Sequence, residues 1–457
     1  MKIKKFIYGI LILFISFAIN KTNAFSQDNL SKYIKEGLDN NLVLKQKNIG
    51  LEKAIYSLKT ANSYFLPSVN LIGEYTSGEG GRSISFPVGD MLNPVYQTLN
   101  KLTGTNSFSQ LNNVNEYLFP NNFYDVKLRT TIPVLNSDLI FNSQIQSGQV
   151  NLKEYEINIY KRELIKEIKV AYYNYLSSIE AIKIYKSTEN LIKESKRVYE
   201  SLIKNGSLLP VYLLRTESEL ENNNSKILDA ENQSVLAKKY FNFLINRDLD
   251  SEILNEPAEN QIIDFSDTLD FYTARNNREE IMMFNKVLEI NNKVLTMNQF
   301  YWLPKINFFI DLGSQERNWK FNKDSKYYLL GVQLNLPVFE GFRNQYKISK
   351  SELDIKNSEL ELEKISEQLT LAETTALINY KNAIQNYQSS LKQLKAAESY
   401  FNLTMRGYKE GSNTFLETVD ARNQLTSSQL LANINKYKIQ VAKANYEREN
   451  ANQSINY

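Results

Sequence analysis

The sequence predicts a mainly α-helical protein with membrane β-strands, built from a duplicated unit of helix, strand, strand and long helical hairpin. The stretch YFLPSVN at 64–70 recurs as YWLPKIN at 301–307, which indicates the duplication. Each copy has segments of about ten residues with alternating apolar and polar side chains, typical of strands with one apolar face. Each copy also has a proline-free run, 137–204 and 340–410, that predicts a helix far longer than a compact domain.

The N-terminus has the three parts of a secretory signal peptide. Lysines at 2, 4 and 5 precede an apolar run from Phe6 to Ile19, and small residues follow at 22, 24 and 26. The run is shorter than the roughly 20 residues that span a bilayer, so a signal peptide over 1–24 is predicted, with an N-terminal membrane anchor as the weaker alternative. Without its four leader lysines the chain is nearly neutral and offers no electrostatic reason to bind nucleic acid.

Two residue types are missing from the composition, because the chain contains neither cysteine nor histidine. The lack of cysteine excludes disulfides, thiolate metal sites and a lipid-modified N-terminal cysteine. The lack of histidine removes the commonest general base and a frequent metal ligand. We therefore expect a protein that is not an enzyme, carries no lipid and holds no metal or cofactor.

The first copy, 25–246, is predicted to begin with a helix that ends at a proline. Proline has no N–H and disfavours the α conformation in the residue before it, so Pro67 should turn the chain from helix to strand and Pro133 should make the reverse turn. GEGG at 78–81 lacks the strand, glycine turn and helix of a phosphate-binding loop, so a surface loop is predicted there. The predicted elements are a helix 28–62, strands at about 68–76 and 122–133, an extracellular loop 77–121, and a helical hairpin 137–245 with its tip near 206.

The second copy, 274–457, repeats the order, with Pro304 and Pro337 as its corners. The segment between the copies is acidic, since 247–270 holds eight acids and one arginine. A calcium site is an alternative there, but the spacing and central glycine of an EF-hand are missing, so a solvated linker is predicted. The elements predicted for the second copy are a helix 274–300, strands at about 305–313 and 326–337, and a helical hairpin 340–450 with its tip near 411.

The four predicted strands have one apolar and one charged face. Strands of a soluble sandwich would alternate in a similar way, but the charges on the second face and the Tyr and Trp near the segment ends favour a membrane. Strands in lipid must close into a barrel, and the smallest single-chain barrels need about eight strands. Closure therefore requires several chains. In 122–133 the apolar face carries Tyr124, Val126, Leu128, Thr130 and Ile132, and the other face carries Asp125, Lys127, Arg129 and Thr131.

The two long helices show the spacing of coiled coils. Ile348, Ile355, Leu362 and Leu369 recur every seventh residue, which predicts packing against a neighbouring helix along one seam. Each long helix is followed by a Gly-Ser turn and a returning helical segment. Glycine is the residue that best ends a helix in the left-handed conformation, so antiparallel hairpins are predicted.

With these features, and with YKEGSNTFLETVDARNQL at 408–425, the chain resembles the TolC-like outer membrane efflux protein family over 27–455. The resemblance implies a homotrimer with a twelve-stranded β-barrel in the outer membrane of a Gram-negative bacterium, continuous with a long α-helical coiled-coil tunnel in the periplasm. It implies a porin-like exit duct for efflux or type I secretion that contacts outer membrane lipid. The implied partners are a periplasmic adaptor (membrane fusion) protein and an inner-membrane pump or ABC transporter. Residues 247–273 resemble the equatorial segment of such a tunnel.

The resemblance also assigns roles to residues at the hairpin tips. Glu417 and Asp420 match acidic positions that ring the closed periplasmic aperture, and Tyr408 matches a position whose contacts hold the mouth shut. A solvated helix face is the alternative for the two acids. The first tip departs from the pattern at Pro210 and Tyr212. The expected adaptor-docking residues are Gly206, Ser207, Gly411 and Ser412.

Two other functions compete with an exit duct. A periplasmic coiled-coil adaptor is also exported and helical, but it normally has one hairpin and soluble β domains, whereas this chain predicts two hairpins and four amphipathic strands. A catalytic outer membrane protein is disfavoured because histidine and cysteine are absent.

Overall fold

The computed structural model describes residues 29–118, 121–254, 278–451 and 455. The predicted signal peptide 1–24 and most of the predicted equatorial segment 247–273 lie outside the described residues. The helices are α1 Asn29–Asn40, α2 Leu42–Ser63, α3 Val88–Thr103, α4 Ser137–Lys204, α5 Val211–Leu244, α6 Glu279–Gln299, α7 Arg343–Lys409 and α8 Phe415–Asn450. The strands are β1 Ser68–Thr76, β2 Ser83–Phe86, β3 Val114–Tyr117, β4 Phe123–Leu135, β5 Lys305–Arg317 and β6 Lys326–Asn335.

The chain divides into two compact units. The helical unit comprises Met1–Ala54, Gln149–Glu289 and Lys356–Tyr457, and the sheet unit comprises Ile55–Gly148 and Ile290–Ile355. Each unit draws residues from both predicted copies, so the compact units do not coincide with the sequence repeats. The division of the chain into two repeats stays a prediction.

The main sheet has four antiparallel strands in the order β1–β4–β5–β6. The central β4–β5 pair joins a strand of the first copy to a strand of the second. Leu128 on β4 lies opposite Leu71 on β1 and Leu312 on β5, so the alternating apolar residues fall on one face. Within the described residues, β1 and β6 each have one partner strand and form the open edges of this sheet.

The four corner prolines occupy three kinds of position. Pro67 and Pro304 directly precede β1 and β5, and the residue before Pro304 is extended, with φ −67° and ψ 133°. Pro133 was predicted as the last residue of its strand, but β4 continues to Leu135, so the proline lies inside the strand. The pairing with β1 ends at Thr131 and the register with β5 shifts beside Pro133, so a missing N–H is tolerated there. Pro337 lies between β6 and α7, before a left-handed turn at 341–342.

Two predicted elements differ in the structure, the first because of an asparagine side chain. The helix predicted over 28–62 is interrupted at Asn41, whose side-chain oxygen accepts a hydrogen bond from the Leu44 N–H at 3.0 Å and caps α2. Its amide nitrogen donates to the Leu244 carbonyl at 3.0 Å. The segment 77–121, predicted as a loop, contains the β2–β3 hairpin and α3.

The core of the helical unit lies where α1 packs on α4 and α5. Ile34, Ile168 and Phe241 are fully buried there. Gly37 allows this close approach, because a Cβ at that position would lie 2.4 Å from the end of the Ile168 side chain, which would have to shift. Burial of this surface is the main source of stability for the hairpins, since long helices gain most of their stability from packing.

A network of buried ion pairs extends this core between α4, α6 and α8. The Arg448 guanidinium binds the carboxylates of Glu163 at 3.0 Å, Glu449 at 3.0 Å and Glu280 at 3.4 Å. Arg278, which is almost completely buried, binds Glu280 at 3.1 Å. Charges removed from water in this way are stable only as long as their partners remain.

Candidate functional site at the hairpin tips

Both hairpin tips end their long helix with the same backbone motif. The Gly206 N–H donates to the Ile203 carbonyl at 3.0 Å, and the Ser207 N–H donates to the Leu202 carbonyl at 2.9 Å. These are the two hydrogen bonds of a Schellman motif, and the glycine has a φ of 74°. The helix end predicted at this glycine is therefore present.

The second tip repeats this pattern. The Gly411 N–H donates to the Tyr408 carbonyl at 3.1 Å, the Ser412 N–H donates to the Gly407 carbonyl at 2.8 Å, and Gly411 has a φ of 80°. Side chains are rarely tolerated at such φ values, so each glycine is needed for its conformation. Ser207 and Ser412 lie exposed at the turns.

An aromatic cluster packs the two tips against each other. Tyr199 on α4 contacts Phe415 on α8, with ring centroids 5.0 Å apart, and Tyr212 on α5 contacts the same Phe415 at 4.7 Å. Tyr212, which departs from the family pattern, therefore serves as an apolar contact between the tips. The sequence analysis did not identify Tyr199 or Phe415. The sequence did offer one signal for these two residues, because each is aromatic and lies within ten residues of a glycine turn.

Tyr408 lies half-buried against this cluster. Its ring meets Tyr199 edge-on, with centroids 5.8 Å apart. Its hydroxyl is buried and has no hydrogen-bond partner among the described residues. Burial, with the neighbouring Tyr199 and Tyr212, raises the pKa of Tyr408 to about 12, so this hydroxyl stays protonated at physiological pH.

The first predicted aperture acid, Glu417, forms the capping box at the start of α8. The Thr414 N–H donates to the Glu417 carboxylate at 2.7 Å, and the Glu417 N–H donates back to the Thr414 hydroxyl at 3.4 Å. The hydrogen bond from the Thr414 backbone and a second from Asn413 lower the pKa of Glu417. The carboxylate is therefore charged at neutral pH and held in one orientation.

Asp420 lies one turn further along α8. Both acids are exposed, while Phe415, Thr418 and Val419 on the opposite side of the helix are buried. The two carboxylates thus share an outward face of the tip, and their role at an aperture stays a prediction.

A buried ion pair connects α5 and α8 just behind the tips. Arg422, whose side chain is only 3 % exposed, binds the Glu219 carboxylate. The sequence analysis missed this pair, because the two residues are far apart in the chain and neither belongs to a recognisable motif.

The sheet unit carries a second candidate surface, on which the usual distribution of polarity is reversed. The apolar side chains of one face, including Leu71, Leu312 and Val332, are exposed. On the other face Asp311 is buried and accepts two hydrogen bonds from the Arg129 guanidinium, at 2.8 and 2.6 Å. A sandwich in water would bury the apolar face, and no layer of the described residues covers it here.

Among the described residues, no helix contains an apolar stretch long enough to cross a membrane. No group of three or more acidic residues is placed to hold a metal ion in the part of the chain that the structure describes.

Comparison with solved structures identifies proteins of the same fold. A membrane protein from Pseudomonas aeruginosa is 15% identical, with a TM-score of 0.75 over 93% of this chain and 94% of that one. The Campylobacter jejuni CmeC outer membrane channel is 15% identical, with a TM-score of 0.73 over 95% of this chain and 89% of that one. The open state of the Neisseria gonorrhoeae MtrE outer membrane channel is 17% identical, with a TM-score of 0.73 over 92% and 88%.

At these identities the likeness establishes the fold, and these neighbours are channels rather than enzymes in the two cases where a role is named. No curated protein matches the chain significantly. The model of the outer membrane efflux protein family, however, matches residues 33–239 and 271–454, which include all four strands of the main sheet, the second hairpin and all but the last five residues of the first. The chain belongs to the outer membrane efflux protein family.

Proposed function

We propose that this chain is the outer membrane exit duct of a tripartite efflux or type I secretion system, and that it works as a homotrimer. The observation that carries the proposal is the four-stranded sheet, which has an exposed apolar face and two open edges. Backbone groups at an open edge are not satisfied in lipid, so strands from other copies must complete the wall. Twelve strands from three copies would form a barrel whose apolar face meets outer membrane lipid and whose charged face lines a water-filled lumen.

The helical hairpins supply the rest of this proposal. Their length and paired Schellman tips fit a periplasmic tunnel that ends in a docking surface for an adaptor protein, with Gly206, Ser207, Gly411 and Ser412 at the contact. The adaptor would connect the duct to an inner-membrane pump or ABC transporter that provides the energy. The chain itself would conduct passively, in keeping with a family of channels.

The test of this proposal is the assembly state of the full mature chain. We expect detergent extracts of the outer membrane to contain an oligomer with the mass of three chains, which dissociates on heating and conducts ions in planar bilayers. Recovery of a monomer from the soluble periplasmic fraction would contradict the proposal and favour the adaptor function. A detergent-solubilised monomer with full channel activity would contradict the trimer.

The acids of the second tip give a prediction about ion selectivity. If Glu417 and Asp420 of three copies ring the periplasmic aperture, they attract cations, because a narrow constriction screens charge poorly. We expect the double variant Glu417→Gln/Asp420→Asn to lose most of its cation preference, as measured by reversal potentials in planar bilayers at low salt. Glutamine can still accept the capping-box hydrogen bonds, so the tip should remain folded.

The matched control for selectivity is Glu398→Gln, an exposed acid on α7 outside the tip. Its reversal potential should equal that of the parent protein. If the double variant and the control behave alike, Glu417 and Asp420 lie on a solvated helix face and have no role in conduction.

A further inference from the structure

The segment between β1 and β4 is a folded insertion, defined here as residues 83–117. The side chain of Asn93 on α3 exchanges two hydrogen bonds with the backbone of Leu111, at 3.0 and 2.8 Å. Two turns later on the same face of the helix, the side chain of Asn100 exchanges two hydrogen bonds with the backbone of Phe108, at 2.8 and 3.0 Å. Gly89 permits the close approach, because a Cβ there would lie 2.3 Å from the Leu111 carbonyl oxygen. These reciprocal contacts hold α3 against the returning chain in a defined orientation.

The opposite face of α3 carries an apolar stripe that has no partner among the described residues. Met91 is 70 % exposed, Val95 is 51 % exposed and Leu102 is 77 % exposed. Together with Thr98 these residues follow steps of four, three and four, which is the a/d spacing of a coiled-coil seam. Asp90, Gln97 and Lys101 flank the stripe on one side, and Leu92 and Leu99 flank it on the other. The apolar surface therefore contains a seam with a/d spacing, suited to another helix.

The position of the insertion indicates which helix that is. The insertion starts after β1, an open edge of the sheet, where the proposed wall continues into the next copy. Arg317 at the end of β5 fixes the insertion to the sheet, because its guanidinium binds Glu116 and donates to the Tyr117 carbonyl at 3.0 Å. Every copy in a closed ring of strands must therefore present the same seam at the same end of the barrel.

We propose that the α3 helices of the three copies pack against each other through Met91, Val95, Thr98 and Leu102, as a short parallel coiled coil over the external mouth of the barrel. The inference rests on the proposed trimeric duct. Rotational symmetry would repeat the three seams around the channel axis, and parallel helices whose a/d seams face that axis pack knobs into holes. An amphipathic helix that lies on a membrane carries basic residues along its polar face, whereas α3 has one lysine and one aspartate. The packed helices would restrict the external opening of the duct.

The natural absence of cysteine allows a direct test by crosslinking. Leu102→Cys places one thiol per copy on the seam, and Gln97→Cys places an equally accessible thiol on the flank of the same helix. A disulfide requires Cβ atoms about 4 Å apart, so mild oxidation of the assembled protein in outer membranes should give about tenfold more covalent dimer for Leu102→Cys. Three thiols around one axis leave one unpaired, so dimers rather than trimers are expected. Met91→Cys tests the other end of the seam and should behave like Leu102→Cys.

Each outcome separates this inference from the proposed function. Heat-sensitive trimers and channel activity in both variants, with equal or no crosslinking, would overturn the coiled coil and leave the duct intact. Strong quenching of a fluorophore on Leu102→Cys by brominated lipids would also overturn it, because the seam would then lie in the membrane. Absence of trimers in the parent protein would overturn both proposals.

Discussion

Replacing Arg448 with Met is expected to lower the free energy of unfolding of the helical unit by about 1.5–3 kcal/mol, because three part-buried carboxylates lose a charged partner and keep only Lys166 or Arg278. Arg448 binds Glu163, Glu280 and Glu449, and methionine fills a similar volume without a charge. The loss should appear as a lower midpoint for the helical circular dichroism signal on heating in detergent. Arg197→Met is the control, since Arg197 pairs with Glu194 on an exposed surface and should matter by less than about 1 kcal/mol.

The same network predicts how stability depends on pH. Desolvation alone would raise the pKa of Glu280, but hydrogen bonds and charge from Arg278, with the charge of Arg448, outweigh it and lower that pKa. A lowered carboxyl pKa stabilises the folded state above its ordinary value of about 4.3 and loses this effect as the pH falls through the folded-state pKa. The parent should therefore lose this contribution as the pH falls below about 4.3, and Arg448→Met, in which the pKa of Glu280 is less lowered, should show a smaller loss over the same pH range. Identical pH profiles for parent and variant would show that the network does not couple to folding.

Leu330→Arg is expected to prevent most of the protein from assembling in the outer membrane, with a cost of about 2–4 kcal/mol per chain. Leu330 lies in the middle of the exposed apolar face of β6, opposite Ile310 on β5. If this face meets lipid, a guanidinium there must enter the hydrocarbon region. The measurement is the amount of heat-sensitive trimer in outer membrane fractions.

The neighbouring residue provides a closely matched control. Leu329 and Leu330 are both leucines, 50 % and 56 % exposed, but they lie on opposite faces of the same strand. Leu329 is opposite Asp311 on the charged face, so an arginine there would meet water and an acidic neighbour. Leu329→Arg should assemble almost as well as the parent. Equal losses for both variants would contradict a lipid-facing assignment of the Leu330 face.

Features set by local chemistry were accessible from the sequence. Gly206 and Gly411 were predicted as helix ends because many helices end at a residue in the left-handed conformation. Glycine adopts that conformation most readily. The two faces of β4 were predicted from the alternation of apolar and polar residues along the strand. Leu128 pairs with Leu71 and Leu312, so these three leucines lie on one face of the sheet, as the alternation requires.

Features set by contacts across the chain were not accessible. Asn41 breaks a predicted helix because its amide reaches Leu244, and the insertion helix is held by Asn93 and Asn100 through bonds to the later residues 111 and 108. Composition alone reads such asparagines as loop residues. At the tips, packing places Tyr408 against Tyr199, a relation that depends on how two hairpins lie side by side.

The central pairing of β4 with β5 determines the order in which this chain can fold. Arg129 and Asp311, which bind each other across that pair, are separated by 182 residues. During synthesis, the first hairpin must be made completely before β4 can meet its partner, and its helices can form meanwhile because their contacts are more local. A two-stranded β1–β4 ribbon is marginally stable in water and exposes edges that invite aggregation. The early product of synthesis is therefore a helical hairpin with an unfinished sheet, a state that lasts until the second half of the chain arrives.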